Sequence, residues 1–225
     1  TRTKLVNYLR GDSTNEGSLT DNTKYYRQRA NVLGDIVNAQ IAYVPPPYHE
    51  YVDPGYDTFV SSKASRMAMV YAAANDGMLH AFAAKGSTTT EAAVLAAANA
   101  KAAASLDPTN AALATAAAAA ANTATSALAS DTQIGQEQWA FIPSFVMPNL
   151  YRLADKKYSD NHRYYVDSTP IEGDVCTANC SNAATAVWKT ILVGGLGRGG
   201  RGYYALDITD PSSPKALWEF SDTNM

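Results

Sequence analysis

Outside one alanine-rich segment, apolar and polar residues alternate in short runs that predict β-strands separated by turns. Within residues 66–84, Asn75-Asp76-Gly77 divides two apolar runs, which is a strong signal of a β-hairpin. Short strands joined by such turns predict a propeller, a sandwich or a barrel. A short helix or turn is predicted at 144–155. The predicted strand regions, some of which include a turn, are 35–44, 66–84, 137–144, 163–175, 186–209 and 214–220.

One hairpin pattern occurs twice. "VYAAANDGMLHAF" (70–82) and "LVGGLGRGGRGYYALD" (192–207) both read as an apolar strand, small residues, a glycine turn, an aromatic residue and an alanine with an apolar partner. Recurrence at this level is what propeller blades produce, because each blade is a four-stranded meander.

Residues 86–133 are low in complexity and dominated by alanine, the residue with the best helix propensity. We expect two helices, at about 90–105 and 108–129, with Asp107 as N-cap and Pro108 at the first helical position. A tolerated surface insertion is the favoured interpretation, and an interaction arm is the alternative. The chain then divides into 1–85, 86–133 and 134–225, which form one incomplete propeller domain around a helical hairpin.

Composition excludes some classes of function. The 18 Lys and Arg residues balance 21 Asp and Glu residues, which argues against nucleic-acid binding because a basic stripe is needed to neutralise phosphates. No run of about 20 strongly apolar residues predicts a membrane span. No signal peptide opens the sequence, and we expect a processed or excised piece of a longer protein.

Two cysteines, Cys176 and Cys180, have the spacing C-x3-C. A structural zinc site usually needs four ligands, and the histidines are scattered, so no metal site is expected. A small-loop disulfide formed in an oxidising compartment is the preferred interpretation, with free thiols as the alternative.

The stretch "GLGRGG" (195–200) fits G-x-G-x-x-G. A dinucleotide fingerprint must open a helix, whereas a strand pattern follows here, so no cofactor is predicted. We expect a conformational role for the glycines. Arg198 and Arg201 are expected to pair with acids such as Asp207.

No catalytic residues are predicted. The acids Asp167, Glu172 and Asp174 are more typical of hydrogen-bond acceptors in a turn than of a catalytic pair. Tyrosines in "VPPPYHEYVDPGY" (44–56) predict either a ligand surface for a sugar or peptide or a loop packed over a blade edge. The candidate ligand residues are Tyr48, Tyr51 and Tyr56.

Arg10-Gly11-Asp12 is a possible adhesion motif, since many integrins bind this tripeptide. Integrin binding needs an exposed loop tip. "LVNYLRGD" (5–12) reads instead as the end of a strand or helix leading into a loop, so an adhesive role is a hypothesis from the motif alone.

Taken in order, the motifs resemble the C-terminal propeller domain of the PilC/PilY family of type IV pilus biogenesis factors and tip-associated adhesins. The resemblance covers nearly the whole chain except the insertion. Ala39-Gln40 and Ser168 stand where the family usually has Ser-Pro and Gly. The motifs are "LVNYLRGD", "RQRANVLGDIVNAQIAYV", "VYAAANDGMLHAF", "EQWAFIPSFVMPNLYRLAD", "RYYVDSTPIEGDV" and "WKTILVGGLGRGGRGYYALDITDP".

The resemblance implies an all-β, quinoprotein-like modified propeller without enzymatic activity. It implies a secreted protein at the cell surface or pilus tip that binds minor pilins, contacts host or abiotic surfaces, and supports pilus extension and twitching motility. The family's calcium loop is not in this sequence, so no cofactor is expected. The resemblance also implies that Arg10-Gly11-Asp12 is a scaffold feature. The alternatives are a carbohydrate- or host-receptor-binding surface module and, less favoured, a quinoprotein-type enzyme.

Overall fold

The computed structural model describes residues 2–86 and 88–222. Four α-helices lie in these ranges: α1 (Arg2–Leu9), α2 (Tyr56–Ser62), α3 (Thr88–Leu106) and α4 (Ala111–Ser130). Short 3₁₀ helices span Met147–Ala154, Tyr158–Asn161 and Gly197–Gly199. None of the helices in the described ranges combines the length and apolarity needed to cross a bilayer.

The strands form two four-stranded antiparallel meanders and one small parallel pair. They are β1 (Glu16–Gly17), β2 (Tyr26–Arg27), β3 (Ala42–Val44), β4 (Met69–Ala74), β5 (Met78–Ala83), β6 (Glu137–Phe141), β7 (Ile171–Ala178), β8 (Val187–Gly195), β9 (Gly202–Asp207) and β10 (Lys215–Ser221). The first sheet has the order β3-β4-β5-β6, the second has β10-β9-β8-β7, and β1 pairs with β2. Each large sheet follows chain order, as a propeller blade does.

The two copies of the predicted hairpin pattern occupy the same place in their sheets. "VYAAANDGMLHAF" forms the central hairpin β4–β5, and the glycine-loop copy forms the central hairpin β8–β9. The two sheets do not close a ring within the described residues. The predicted partial propeller with a helical insertion is therefore confirmed.

The core lies between the two sheets because alternate residues of a strand point to opposite faces. One face of β4 and β5 contributes Met69, Tyr71 and Leu79, and the facing side of the second sheet contributes Leu192 and Tyr204. All five side chains are almost completely buried. The leucines of the 3₁₀ helix at 147–154 join the same core.

The strand predicted at 35–44 was wrong for most of its length, since only Ala42–Val44 is a strand. The preceding N–H groups bond to side chains instead of a neighbouring strand. Asn38 N–H donates to Asp167 Oδ1 at 3.2 Å, and Gln40 N–H donates to Thr169 Oγ1 at 2.8 Å.

The strand predicted at 163–175 starts only at Ile171. Upstream of that residue, Tyr165 N–H donates to the side-chain oxygen of Asn75 at 3.0 Å, and Asp167 N–H donates to the carbonyl of Leu196 at 3.1 Å. This irregular segment, residues 162–170, thus bonds to the turns of both sheets rather than to a strand.

The insertion forms the predicted helical hairpin, with one error at the start of α4. Asn110, not Asp107, is the N-cap, and its side chain accepts hydrogen bonds from the N–H groups of Ala112 and Leu113. Asp107 instead accepts from Thr109 Oγ1 in the interhelical turn, at 3.0 Å. A side-chain cap satisfies N–H groups that the first helical turn leaves unpaired, and Asn110 stands closer to the regular alanine run.

Candidate functional site

Arg10-Gly11-Asp12 ends helix α1. Gly11 has a φ of 104°, a conformation that favours glycine. Its N–H donates to the carbonyl of Tyr8 at 3.0 Å, and the N–H of Asp12 donates to the carbonyl of Asn7 at 2.9 Å. These two bonds are the Schellman pattern that closes helix C-termini.

The acid of this tripeptide is engaged locally. Asp12 Oδ1 accepts the N–H of Thr14 at 2.7 Å, and hydrogen bonding to Thr14 lowers the pKa of Asp12. Arg10 is exposed and Asp12 is half-buried. The geometry gives the tripeptide a helix-ending role, and its adhesive role stays a prediction.

The tyrosines of the candidate ligand surface form part of a column of rings. Tyr48 lies 4.5 Å from His49, His49 stacks on Tyr51 at 5.0 Å, and Tyr51 stacks on Trp188 at 6.1 Å between ring centroids. The rings therefore contact one another in sequence, and Tyr51 within the column is 38% exposed. Tyr48, at its end, is 60% exposed.

Tyr56 contacts the column, with its ring centroid 4.8 Å from those of Tyr51 and Trp188, but it differs from the exposed rings because it is only 1% exposed. Its hydroxyl donates to Asp174 Oδ2 at 2.6 Å, and burial raises the pKa of Tyr56. Asp174 also accepts from Thr190 Oγ1 at 2.6 Å, and Arg66 donates to that threonine hydroxyl at 2.5 Å. This buried network ties helix α2 to the second sheet, so Tyr56 does not form part of a ligand-contacting face.

Sequence reasoning missed His49 and Trp188 as members of the column. Trp188 lies more than 130 residues from the tyrosines, and its Nε1–H donates to the carbonyl of Pro54 at 3.0 Å. His49 was the available signal, because it sits between two of the tyrosines in the sequence. Its Nε2 lies 3.7 Å from Glu172 Oε1, beyond hydrogen-bond distance.

Cys176 and Cys180 form the predicted disulfide, which closes a small loop at the end of β7. The chain returning to β8 lies against the tyrosine loop. A Cβ at Gly55 would be 2.9 Å from the carbonyl oxygen of Ala183. The disulfide-bonded hairpin end and the ring column are therefore neighbours.

A buried histidine lies between two carboxylates. His80, 5% exposed, has Nδ1 at 2.7 Å from Glu137 Oε1 and Nε2 at 3.0 Å from Asp76 Oδ2. Burial alone would lower the pKa of His80, but the hydrogen bonds and charges of Asp76 and Glu137 raise it. The cluster borders a groove of about 650 Å³ that is also lined by Leu5 and Met147.

Within the described part of the chain, no three metal-ligating side chains come together as a metal site. Of the three acids considered as catalytic candidates, Glu172 lies 3.7 Å from His49, and the other two are engaged in structural hydrogen bonds. Asp167 accepts from Asn38, and Asp174 accepts from Tyr56 and Thr190.

Arg201 pairs with an acid as expected, but neither Arg201 nor Arg198 pairs with Asp207. Asp207 pairs with Lys189 at 2.8 Å, because the two lie on neighbouring strands. Arg201 pairs with Asp222 at 3.4 Å. The guanidinium of Arg198 instead lies over the ring of Tyr164, 5.6 Å from its centroid.

A family model described as the PilY1 beta-propeller domain matches residues 93–224, more than half of the chain. The chain belongs to the PilY1 β-propeller family. The match includes the second sheet and most of the helical insertion, so it confirms the resemblance inferred from the motifs.

Two relatives extend the PilY1 match to nearly the whole chain. The type IV pilus biogenesis factor PilY1 homolog of Xylella fastidiosa is 32% identical over 221 residues, covering 95% of this chain and 13% of that protein. The type IV pilus biogenesis factor PilY1 of Pseudomonas aeruginosa strain PAK is 32% identical over 222 residues, covering 95% and 14%. The chain thus spans 13–14% of the length of these two relatives.

A solved structure is also similar to the chain. The crystal structure of the Pseudomonas aeruginosa PilY1 C-terminal domain is 25% identical in sequence and has a TM-score of 0.42. The similarity covers 80% of this chain and 25% of that one.

Proposed function

We propose that this chain is part of a noncatalytic type IV pilus assembly factor and tip-associated adhesin. The observation that carries the proposal is the similarity, over 95% of the chain, to proteins named type IV pilus biogenesis factor. The protein acts by surface contact with minor pilins at the pilus tip, and it supports pilus extension, surface attachment and twitching motility.

The location proposed is the cell surface or pilus tip, reached by secretion. The Cys176–Cys180 disulfide supports an oxidising compartment, since cytosolic proteins rarely keep disulfides. No cofactor and no enzymatic step are part of the proposal, and neither nucleic acid nor a membrane span is involved.

The test is a pull-down of minor pilins with the tagged full-length protein that contains this chain. Three forms are compared: the intact protein, one with residues 88–130 replaced by a short Gly-Ser linker, and Leu106→Ser. Leu106 is 89% exposed at the end of α3, so its replacement changes the hairpin tip without removing core contacts.

Retention of minor pilins by all three forms supports an assembly factor with a decorative insertion. Loss on deletion and on Leu106→Ser supports the same function and makes the hairpin tip the docking arm. If none of the forms retains minor pilins, the proposed assembly role is wrong.

A carbohydrate- or host-receptor-binding surface is the second candidate, favoured by the exposed end of the ring column. Tyr48 presents a ring that sugars or apolar side chains could contact. Tyr48→Ala should weaken binding on a glycan array or to host cells. Tyr43→Ala is the matched control, since Tyr43 is 53% exposed but lies in β3 outside the column. Equal loss in both variants would contradict a site at Tyr48.

A further inference from the structure

A pocket of about 430 Å³ lies at the glycine loop, apart from the ring column. Three pieces of the chain line it: residues 145–149, the segment 161–165, and the loop carrying Arg198. Its apolar lining includes Val146 and Leu196. Its polar and charged walls come from Asn149, Asn161, His162, Arg163, Tyr164 and Arg198.

The ionisable side chains that give this pocket its charge are all basic. His162, Arg163 and Arg198 line it, and none of the lining residues is an acid. The whole chain has a net charge of −3, so a basic pocket is not a general property of its surface. A positive, partly enclosed surface attracts anions.

The two arginines of the pocket lack a carboxylate partner, which some arginines of this chain have. Arg29 pairs with Glu16, and Arg201 pairs with Asp222. Among residues 2–86 and 88–222, neither Arg163 nor Arg198 has a carboxylate within ion-pair distance. His162, by contrast, lies 3.0 Å from Asp35, which offsets part of its charge when it is protonated.

The pocket is held in shape by close backbone packing. A Cβ at Gly199 would lie 1.8 Å from the carbonyl oxygen of Tyr165, so the glycine lets the loop rest directly on segment 161–165. The hydroxyl of Tyr165 donates to the carbonyl of Asn149 at 3.0 Å, which fixes the third wall. A site formed in advance of binding loses less conformational entropy when a ligand enters.

From this arrangement we infer that the pocket binds an acidic monosaccharide unit, a pyranose that carries a carboxylate. Guanidinium groups suit carboxylates because they offer two parallel N–H donors. The amides of Asn149 and Asn161 can both donate to and accept from sugar hydroxyls. The volume lies near the lower end of the range of about 300–1,000 Å³ for ligand pockets, which fits one or two sugar units.

This inference gives the adhesive part of the proposed function a ligand class, and its test needs no pili. Calorimetry on the full chain compares methyl glucuronide with methyl glucoside, which differ only in the carboxylate. The glucuronide should bind at millimolar concentrations or better, and the glucoside at least about tenfold more weakly.

Arg163→Gln and Arg198→Gln should each weaken glucuronide binding about tenfold, the loss expected for one charge-assisted hydrogen bond. Arg201→Gln is the matched control because it lies on the same loop, pairs with Asp222 and does not line the pocket. It should bind as the unchanged chain does. Circular dichroism confirms that each variant is folded.

Three results would overturn the inference: no binding of glucuronide, equal binding of the two sugars, or equal weakening by Arg201→Gln. Acetate is the third ligand, and binding of acetate as tight as that of glucuronide would show a general carboxylate site and overturn the assignment to a saccharide. A negative result for sugar binding does not change the pull-down result for minor pilins, so the two proposals can be rejected independently.

Discussion

The two sheets hold the same irregular segment, residues 162–170, with different chemistry. In the first sheet the turn between β4 and β5 uses a side chain, since Asn75 accepts the N–H of Tyr165 at 3.0 Å. In the second sheet the loop between β8 and β9 holds the segment through a glycine, whose lack of a side chain allows close backbone contact. Gly199 there brings the loop against the carbonyl of Tyr165.

Tyr165 is therefore held at its N–H by one sheet and at its carbonyl by the other. The comparison shows why the repeat is recognisable as a pattern but not residue by residue. An asparagine at one turn and a glycine at the other meet the same need, which is to fix the segment that joins the two sheets.

Gly199→Ala should have the largest effect on stability. The added methyl group would overlap the backbone of Tyr165, which cannot move away as the end of a flexible side chain can. We expect the free energy of unfolding to fall by about 3 kcal/mol or more. Urea denaturation followed by tryptophan fluorescence measures it.

Gly173→Ala is the control for this prediction. Gly173 lies in β7, and an added Cβ there would meet nothing within 4 Å. Its replacement should change the free energy of unfolding by no more than about 0.5 kcal/mol. Equal destabilisation by the two substitutions would mean that close approach is not what Gly199 provides.

Asn75→Ala should have the next largest effect. It leaves the buried N–H of Tyr165 without its acceptor, and Asn75 itself is 1% exposed. A loss of about 2 kcal/mol is expected from an unsatisfied buried donor and a small cavity. Asn31→Ala, at an exposed position, should cost less than about 0.5 kcal/mol. If Asn75→Ala proves as mild, the first turn does not hold Tyr165 by its side chain.

The first turn should also respond to pH in a way the second does not. The net effect of Asp76 and Glu137 raises the pKa of His80 in the folded protein. The stabilisation from protonated His80 is then fully present below the unfolded pKa of about 6.5, and it is lost as pH rises through the folded value.

Glu137→Gln removes one of the two carboxylates and should flatten this decline in the free energy of unfolding above pH 6.5. Glu91→Gln removes a carboxylate from helix α3 and should leave the decline as it is. Denaturation midpoints measured from slightly acidic to slightly basic pH compare the three proteins. Parallel curves for all three would contradict a role for the Glu137–His80 pair.

The sequence was sufficient for features that depend on neighbouring residues. Alternation and the Asn-Asp-Gly turn predicted the hairpin β4–β5, and the alanine run predicted α3 and α4. The segments around Asn38 and Tyr165 were assigned to strands because their apolar residues suit strands. Their N–H groups bind instead to side chains and carbonyls far away in sequence, which no local pattern records.

Distance in sequence also explains which features of the candidate sites were predicted and which were missed. Cys176 and Cys180 pair across a short loop, so their spacing was enough. Trp188 joins the ring column only through folding. The partner of Asp207 is set by strand register, which places Lys189 beside it and leaves Arg198 for the pocket at the glycine loop.

The smallest effect on stability is expected at the connection between strands whose length differs most between the two sheets. The third connection of the second sheet is the short turn between β9 and β10, whereas the same connection of the first sheet carries α3 and α4. The strand ends meet beneath this insertion. Ala83 N–H donates to the carbonyl of Gln136 at 3.0 Å, and Gly135 N–H donates to the carbonyl of Ala83 at 2.8 Å.

Replacing residues 88–130 with a short Gly-Ser linker should therefore make the first sheet resemble the second at this connection. The two helices pack chiefly on each other, so their removal exposes little of the core. Closing a shorter loop also costs slightly less entropy. We expect a change in the free energy of unfolding within about 1 kcal/mol. A much larger loss would show that the hairpin supports the sheet, and the two connections would then differ in function as well as in length.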